Sequence, residues 1–276
     1  MKPDEIKRDT LLFGLVGDAL EKTPLPSMIN AFYDANGLNA FCSIFNIRDD
    51  DVPFFLTQIK TKTIKGLFIQ PSHSPKVLEY IDDFSPEAEH AAAVDAIVIG
   101  EGRLHGENFK ARGIVSELHE EGDLTGREIA VIGSEGSALA VALAVAAENP
   151  KRMVLVDPSP EAALALSRKV KSVTGFDRFE IERCAEGMTT DLASADVIVN
   201  CMALDAAMKF SDLKSGARVY DCDGSLNGAS WQEGVRYQSP YYMTMLVVKM
   251  MSEKVFKAPC RIADNFMESA EVIEIF

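Results

Sequence analysis

The residues with the clearest chemical potential lie between Glu128 and Asp157. A turn of Gly133, Ser134, Glu135 and Gly136 follows the apolar run 129–132, and Ser137 and Ala138 open an alanine-rich stretch to about residue 148. Glycines permit a tight turn and close backbone approach, and the N–H groups at a helix start attract a phosphate. Asp157 stands about twenty residues past the turn, where a carboxylate accepts hydrogen bonds from a ribose 2′-hydroxyl. The carboxylate repels a 2′-phosphate, and Pro158, Ser159 and Pro160 follow it with no arginine, so NAD is expected over NADP. Against the pattern G-x-G-x-x-G/A the second glycine position holds Glu135 and the third Ala138. A glutamate beside a pyrophosphate must point outward. The competing reading is an ordinary strand-to-helix turn with no ligand.

Other chemistry-bearing residues are scattered. Cys42, Cys184, Cys201, Cys222 and Cys260 form no C-x-x-C pair, and His73, His90, His105 and His119 show no metal-ligand spacing. Buried thiols in a reducing compartment fit this better than a disulfide frame, and no metal is expected. His73, in the loop 71–75, is either a site residue or a solvent-facing loop histidine; His105 and His119 read as structural. Trp231, Tyr237, Tyr241 and Tyr242 read mainly as core packing.

The elements that position these groups follow from periodicity and breakers. Strands are expected at 11–16, 40–45, 66–69, 95–99, 103–106, 129–132, 153–156, 179–182, 195–200 and 218–221. Helices are expected at 27–36, 50–61, 76–82, 86–92, 112–121, 137–148, 162–173 and 241–256, with 262–276 packing back on the first domain. From about residue 114 the alternation of strand and helix implies an α/β fold with a parallel sheet and helices on both faces. With 276 residues the chain has room for two domains. A net charge of −14 argues against nucleic acid and anionic membranes as partners. No apolar run spans a bilayer and the start lacks an apolar signal region, so a cytoplasmic location is expected.

Several stretches together resemble the shikimate/quinate dehydrogenase family over nearly the whole chain. GLVGDALEKTPLPSMIN (14–30), GLFIQPSHS (66–74), AAVDAIV (92–98) and GRLHGENFKARG (102–113) resemble the family's substrate-domain motifs. VIVNCM (197–202) resembles its strand ending N-A-T, and Met245-Leu246 its last helix. The resemblance implies a substrate-binding αβ domain over 1–113, completed by helices in 240–276, and a Rossmann domain over 114–239. Cys201 and Met202 then join the turn residues and Asp157 at the cofactor.

The same resemblance places the substrate groups. The family's lysine position holds Ser74, its aspartate position Lys110, its two carboxylate-binding serines Thr23 and Leu25, its threonine Gln70, its asparagine Asp95 and its late glutamine Lys249. By position, Lys110 and Asp95 form an acid/base pair with the roles exchanged, with Ser74 beside them; a plain salt bridge is the alternative. Thr23, Gln70, Asn108 and Lys249 are expected to bind substrate, Lys249 by its charge. Glu107 and Arg112 either tune Lys110 or are exposed. The implied function is a nicotinamide-dependent dehydrogenase of a small hydroxy acid, with a homodimer as a possible assembly. A non-catalytic ligand binder, and a reductase of a cyclic imine or folate-like unit, are the alternatives.

Overall fold

The structure, a computed structural model, describes residues 6–60, 63–205, 208–226, 231–263 and 266–267. The chain divides into two compact units, residues 1–109 with 244–276, and residues 110–243.

The first unit carries β1 (Leu11–Gly17), α1 (Leu25–Ala35), β2 (Ala40–Asn46), α2 (Val52–Gln58), β3 (Ile64–Ile69), α3 (Ser74–Val77), β4 (Asp83–Phe84), α4 (Pro86–Ala91), β5 (Ala96–Gly100) and β6 (Arg103–Glu107). Its sheet runs β2-β1-β3-β5-β6-β4. β1 lies parallel to β2 and β3, whereas β5 is antiparallel to β3 and β6. The hairpin between β5 and β6 turns at Glu101 and Gly102, both with positive φ, which suits the twist of the two strands. Val16, Leu67, Ile69, Ile97, Ile99 and Leu104 fill the core against α2 and α4.

In the second unit, α5 (Phe109–Glu120) leads to β7 (Glu128–Ile132), α6 (Ser137–Ala147), β8 (Arg152–Asp157), α7 (Pro160–Thr174) and β9 (Phe179–Arg183). Then follow β10 (Thr189–Thr190), β11 (Val197–Asn200), β12 (Lys209–Phe210), β13 (Arg218–Asp221), β14 (Arg236–Gln238) and α8 (Pro240–Phe256). The sheet order is β14-β13-β11-β7-β8-β9, every pair parallel. Read in chain order this is the 3-2-1-4-5-6 arrangement of a doubly wound Rossmann sheet. β7 and β11 are buried throughout, as strands covered on both faces must be. α6 is apolar nearly all round for the same reason. The α/β class and the Rossmann sheet are as expected from the sequence.

Several local expectations shift. The helix foreseen at 76–82 is instead a 3-10 turn at 71–73, α3 and a second 3-10 turn at 78–80, broken up around Pro71 and Pro75. The helix foreseen at 50–61 begins as a 3-10 turn over Asp49–Asp51, and α2 ends at Gln58. α5 starts at Phe109, earlier than expected, because the Asp95 carboxylate accepts the Phe109 N–H at 2.8 Å. α8 lays Met245, Val248, Met251 and Ser252 inward, and Gly66 leaves space for Met251, whose Cε would lie 2.7 Å from a Cβ there. Most of the segment 262–276 lies outside the described residues. Just before it, Arg261 exchanges two hydrogen bonds with the Asn36 side chain at the end of α1. No helix among the described residues is long and apolar enough to cross a membrane.

Candidate functional site

In the second unit the nine residues read as cofactor-binding gather at the carboxyl ends of β7, β8 and β11. β7 and β11 are neighbours where the strand order reverses, the position at which doubly wound sheets take ligands. Gly133 follows β7 with φ +105° and donates its N–H to Val156 O at 2.8 Å. A Cβ there would sit 3.3 Å from Met202 Cβ and 3.6 Å from the Cys201 carbonyl carbon. Glycine is therefore required on both conformational and steric grounds. Gly136 caps α6 at φ +51°, with open space where a Cβ would be and no side chain capping the helix. The helix start thus keeps the amide donors and partial positive charge that suit a phosphate. Glu135 is exposed at this turn.

Asp157 ends β8 with both carboxylate oxygens oriented. Ser134 Oγ donates to Oδ2 at 2.5 Å and the Ser159 N–H donates to Oδ1 at 2.8 Å. Each oxygen has a further lone pair for a ribose hydroxyl. These residues fit a dinucleotide.

Behind this rim, buried Asn200 and Asp221 lock the ends of β11 and β13. Asn200 Nδ2 donates to Asp221 Oδ1 at 2.9 Å, and Asp221 also accepts from Gly224 N, Leu226 N and the Tyr237 hydroxyl. That bond pushes the Tyr237 phenol up, after burial. Cys201 and Cys222 place their sulfurs 4.0 Å apart. The hydrogen bond to Cys222 and burial push the Cys201 thiol well up, and the positive charge of Lys110 works against them. Lys110 is therefore within electrostatic reach of the residue that adjoins Gly133.

In the first unit, four of the residues read as catalytic or substrate-binding converge beside the ends of β3, β5 and β6. Ser74 Oγ accepts the Val94 N–H at 3.0 Å, which pins α3 to the residue before Asp95. Asn108 is 3% exposed and donates to Ala93 O at 3.1 Å. Asp95 takes the Phe109 N–H through its side chain and the Ile69 N–H through its carbonyl, the residue next to Gln70. The Gln70 side chain lies against Gly17, where a Cβ would come within 2.0 Å of its Oε1.

Thr23 instead caps its own turn, accepting weakly from Leu25 N at 3.4 Å. Lys249 is paired along α8 with Glu253 at 3.3 Å. His73 is no surface histidine: it is 1% exposed, with Nε2 2.6 Å from Ile47 O and Nδ1 beside Ser72 Oγ. Sequence reading missed the role of Glu107, which is fully buried and holds Lys254 and His105 on one oxygen, His105 in turn meeting Asp83. The pairing joins β6 to α8 across 147 residues, and only folding brings it together.

Comparison with known proteins gives this geometry a family. Residues 15–97 match the family model described as the shikimate dehydrogenase substrate binding domain. The chain is 30% identical over 235 residues to the shikimate dehydrogenase (NADP(+)) of Syntrophomonas wolfei, covering 80% of this chain and 78% of that one. Its fold is similar to the ligand-free 5-ketofructose reductase of Gluconobacter sp. strain CHM43, at TM-score 0.81 and 18% identity over 97% and 100% of the two chains. It is similar also to the shikimate 5-dehydrogenase of Listeria monocytogenes in complex with shikimate and NAD, at TM-score 0.75 and 17% identity over 98% of both. The chain belongs to the shikimate/quinate dehydrogenase family and is a nicotinamide-dependent oxidoreductase acting on a CH–OH group.

Proposed function

We propose that this protein interconverts a small hydroxy acid and its oxo form, with the second unit holding the dinucleotide and the first unit the substrate. The observation that carries the reading is the turn at Gly133, closed against Cys201 and Met202 at the reversal of the strand order. When bound, the nicotinamide supplies a hydride acceptor or donor. This chain's residues do the rest. The amides from Ser134 to Ser137 and the α6 dipole bind the diphosphate. Asp157, held by Ser134 and Ser159, accepts from the adenosine ribose.

Lys110 exchanges the proton of the substrate hydroxyl, with Asp95 orienting the substrate. Support for Lys110 is its partial burial and its electrostatic reach to Cys201. Ser74, Asn108 and Gln70, which cluster around Asp95, bind the substrate's polar groups, and Lys249 and Thr23 complete the set. The named relatives are dehydrogenases, which supports an enzyme over a non-catalytic binder.

We assign NAD as the preferred coenzyme. The Syntrophomonas relative is named for NADP(+), yet a carboxylate at the ribose repels a 2′-phosphate. Shikimate, quinate and acyclic hydroxy acids should be screened with each coenzyme by the absorbance of the reduced nicotinamide. Turnover with NAD is expected; binding of neither coenzyme would end this reading.

A further inference from the structure

A polar cavity of about 510 Å³ opens in the second unit, lined by Glu121, Arg127, Asp196, Gly216, Arg218 and Arg236. It lies at the amino-terminal ends of the strands, opposite the nucleotide turn. Arg218 and Arg236 begin β13 and β14, while Arg127 and Asp196 immediately precede β7 and β11. Gly133 and Cys201 follow the other ends of those same parallel strands.

In a chain of net charge −14, three guanidiniums gathered at one cavity need an explanation. Arg218 is paired with two carboxylates, but the charges of Arg127 and Arg236 are only partly answered. Glu121 offers one oxygen, Oε1, to both Arg218 and Arg236. Arg127 donates to the Glu121 backbone carbonyl at 3.3 Å and, among the described residues, to no carboxylate. Asp196 is answered by Lys214 at 2.5 Å and by the Glu128 N–H at 2.7 Å. Glu117 is taken by Arg218 Nη1 at 2.8 Å. Arg218 is 6% exposed, and its Nε has no partner among the described residues. A guanidinium carries five N–H donors in a planar fork, so Arg127 and Arg236 keep most of theirs for a ligand. Gly216 also lines the cavity, with nothing within 4 Å of where a Cβ would lie.

We propose that this cavity is a second binding site, for a small oxyanion: a phosphate or carboxylate, free or carried on a metabolite. Arg127 and Arg236 donate to its oxygens, while Arg218, held by Glu117, Glu121 and the Tyr220 hydroxyl, braces Glu121 behind them. Arginine forks match both groups bidentately, and the pairing strengthens where water is partly excluded. The site is separate from the dinucleotide turn and does not depend on the dehydrogenase reading.

Calorimetric titration of the full chain with inorganic phosphate, and in parallel with acetate, tests this at constant ionic strength. Saturating NAD is present to fill the other phosphate-binding turn. One phosphate or acetate per chain is expected, with a Kd of about 1 mM or tighter. Arg127→Gln and Arg236→Gln should each weaken it roughly tenfold, while Lys169→Gln, exposed on α7, leaves it unchanged. Both variant sites are at least partly exposed, and circular dichroism verifies that each variant is folded. The tighter of the two probes names the group. No heat with either probe at about 10 mM overturns the proposal. So does an affinity indifferent to both arginine substitutions.

Discussion

The proposed coenzyme preference rests on Asp157 and its partner Ser134. The serine hydroxyl at 2.5 Å and the Ser159 amide at 2.8 Å hold the carboxylate in one orientation. Asp157→Ala should raise KM for NAD about tenfold, the effect of losing a charged hydrogen bond, and should narrow the preference over NADP. Initial rates with both coenzymes measure this, and an unchanged ratio of kcat/KM values would remove Asp157 from the ribose. Lys110→Ala should lower kcat by about 10²- to 10⁴-fold while nucleotide affinity stays near that of the parent. A variant with full turnover would exclude Lys110 as the proton-exchanging group. Asp157 was legible in the sequence because the acid falls a fixed distance after a glycine turn. Its bond to Ser134 was not, because a hydroxyl 23 residues away signals nothing until the strand and turn are folded.

At the scale of elements, β7 with its flanking turn bears the most structural constraint. At Gly133 a valine would meet a positive φ and Met202 at once, so Gly133→Val should abolish measurable NAD binding and lower stability by about 1–3 kcal/mol. Fluorescence titration and thermal melting check the two effects separately. The other end of β7 is anchored by Glu128, which accepts from Lys151 and Arg152 at 2.7 Å each. These two bonds hold its carboxyl down at about 2, below its ordinary value. The stabilisation is therefore present above about pH 4.5 and fades as the pH falls toward 2. Glu128→Gln should be about 1–2 kcal/mol less stable at pH 7, with denaturation curves converging on the parent's near pH 2. Long apolar strands such as β7 and β8 were legible because covered strands read as continuous hydrophobic runs. β4, β10, β12 and β14, of two or three residues, were not, because they are too short to show alternation and exist only by pairing.

For the whole molecule, a ligand that binds the native state alone must stabilise it. NAD at about a hundred times its Kd should add roughly 2.7 kcal/mol, and NADP at the same concentration less. Thermal melts with each coenzyme measure the difference, and a larger shift with NADP would reverse the assignment drawn from Asp157. The division into 1–109 with 244–276, and 110–243, cuts inside α5 and α8, near the residues where the motifs changed character. From its residues the long return of the chain read as a helix rich in Met, Leu and Val, and the family resemblance implied that it completes the first domain. That it serves the first sheet depends on Gly66 meeting Met251 and on Glu107 meeting Lys254.

By itself the sequence determined the α/β class, the glycine turn, its helix and the acid beyond it. Each follows from spacing within about thirty residues, and backbone sterics and hydrophobic periodicity act over that range. Only the tertiary structure decided that Ser74, Asp95 and Asn108 converge, that His73 is buried, and that three arginines share a cavity at the amino-terminal ends of the Rossmann strands. Those groups come from separate strands, and their distances are set by sheet order and register, which no local pattern encodes.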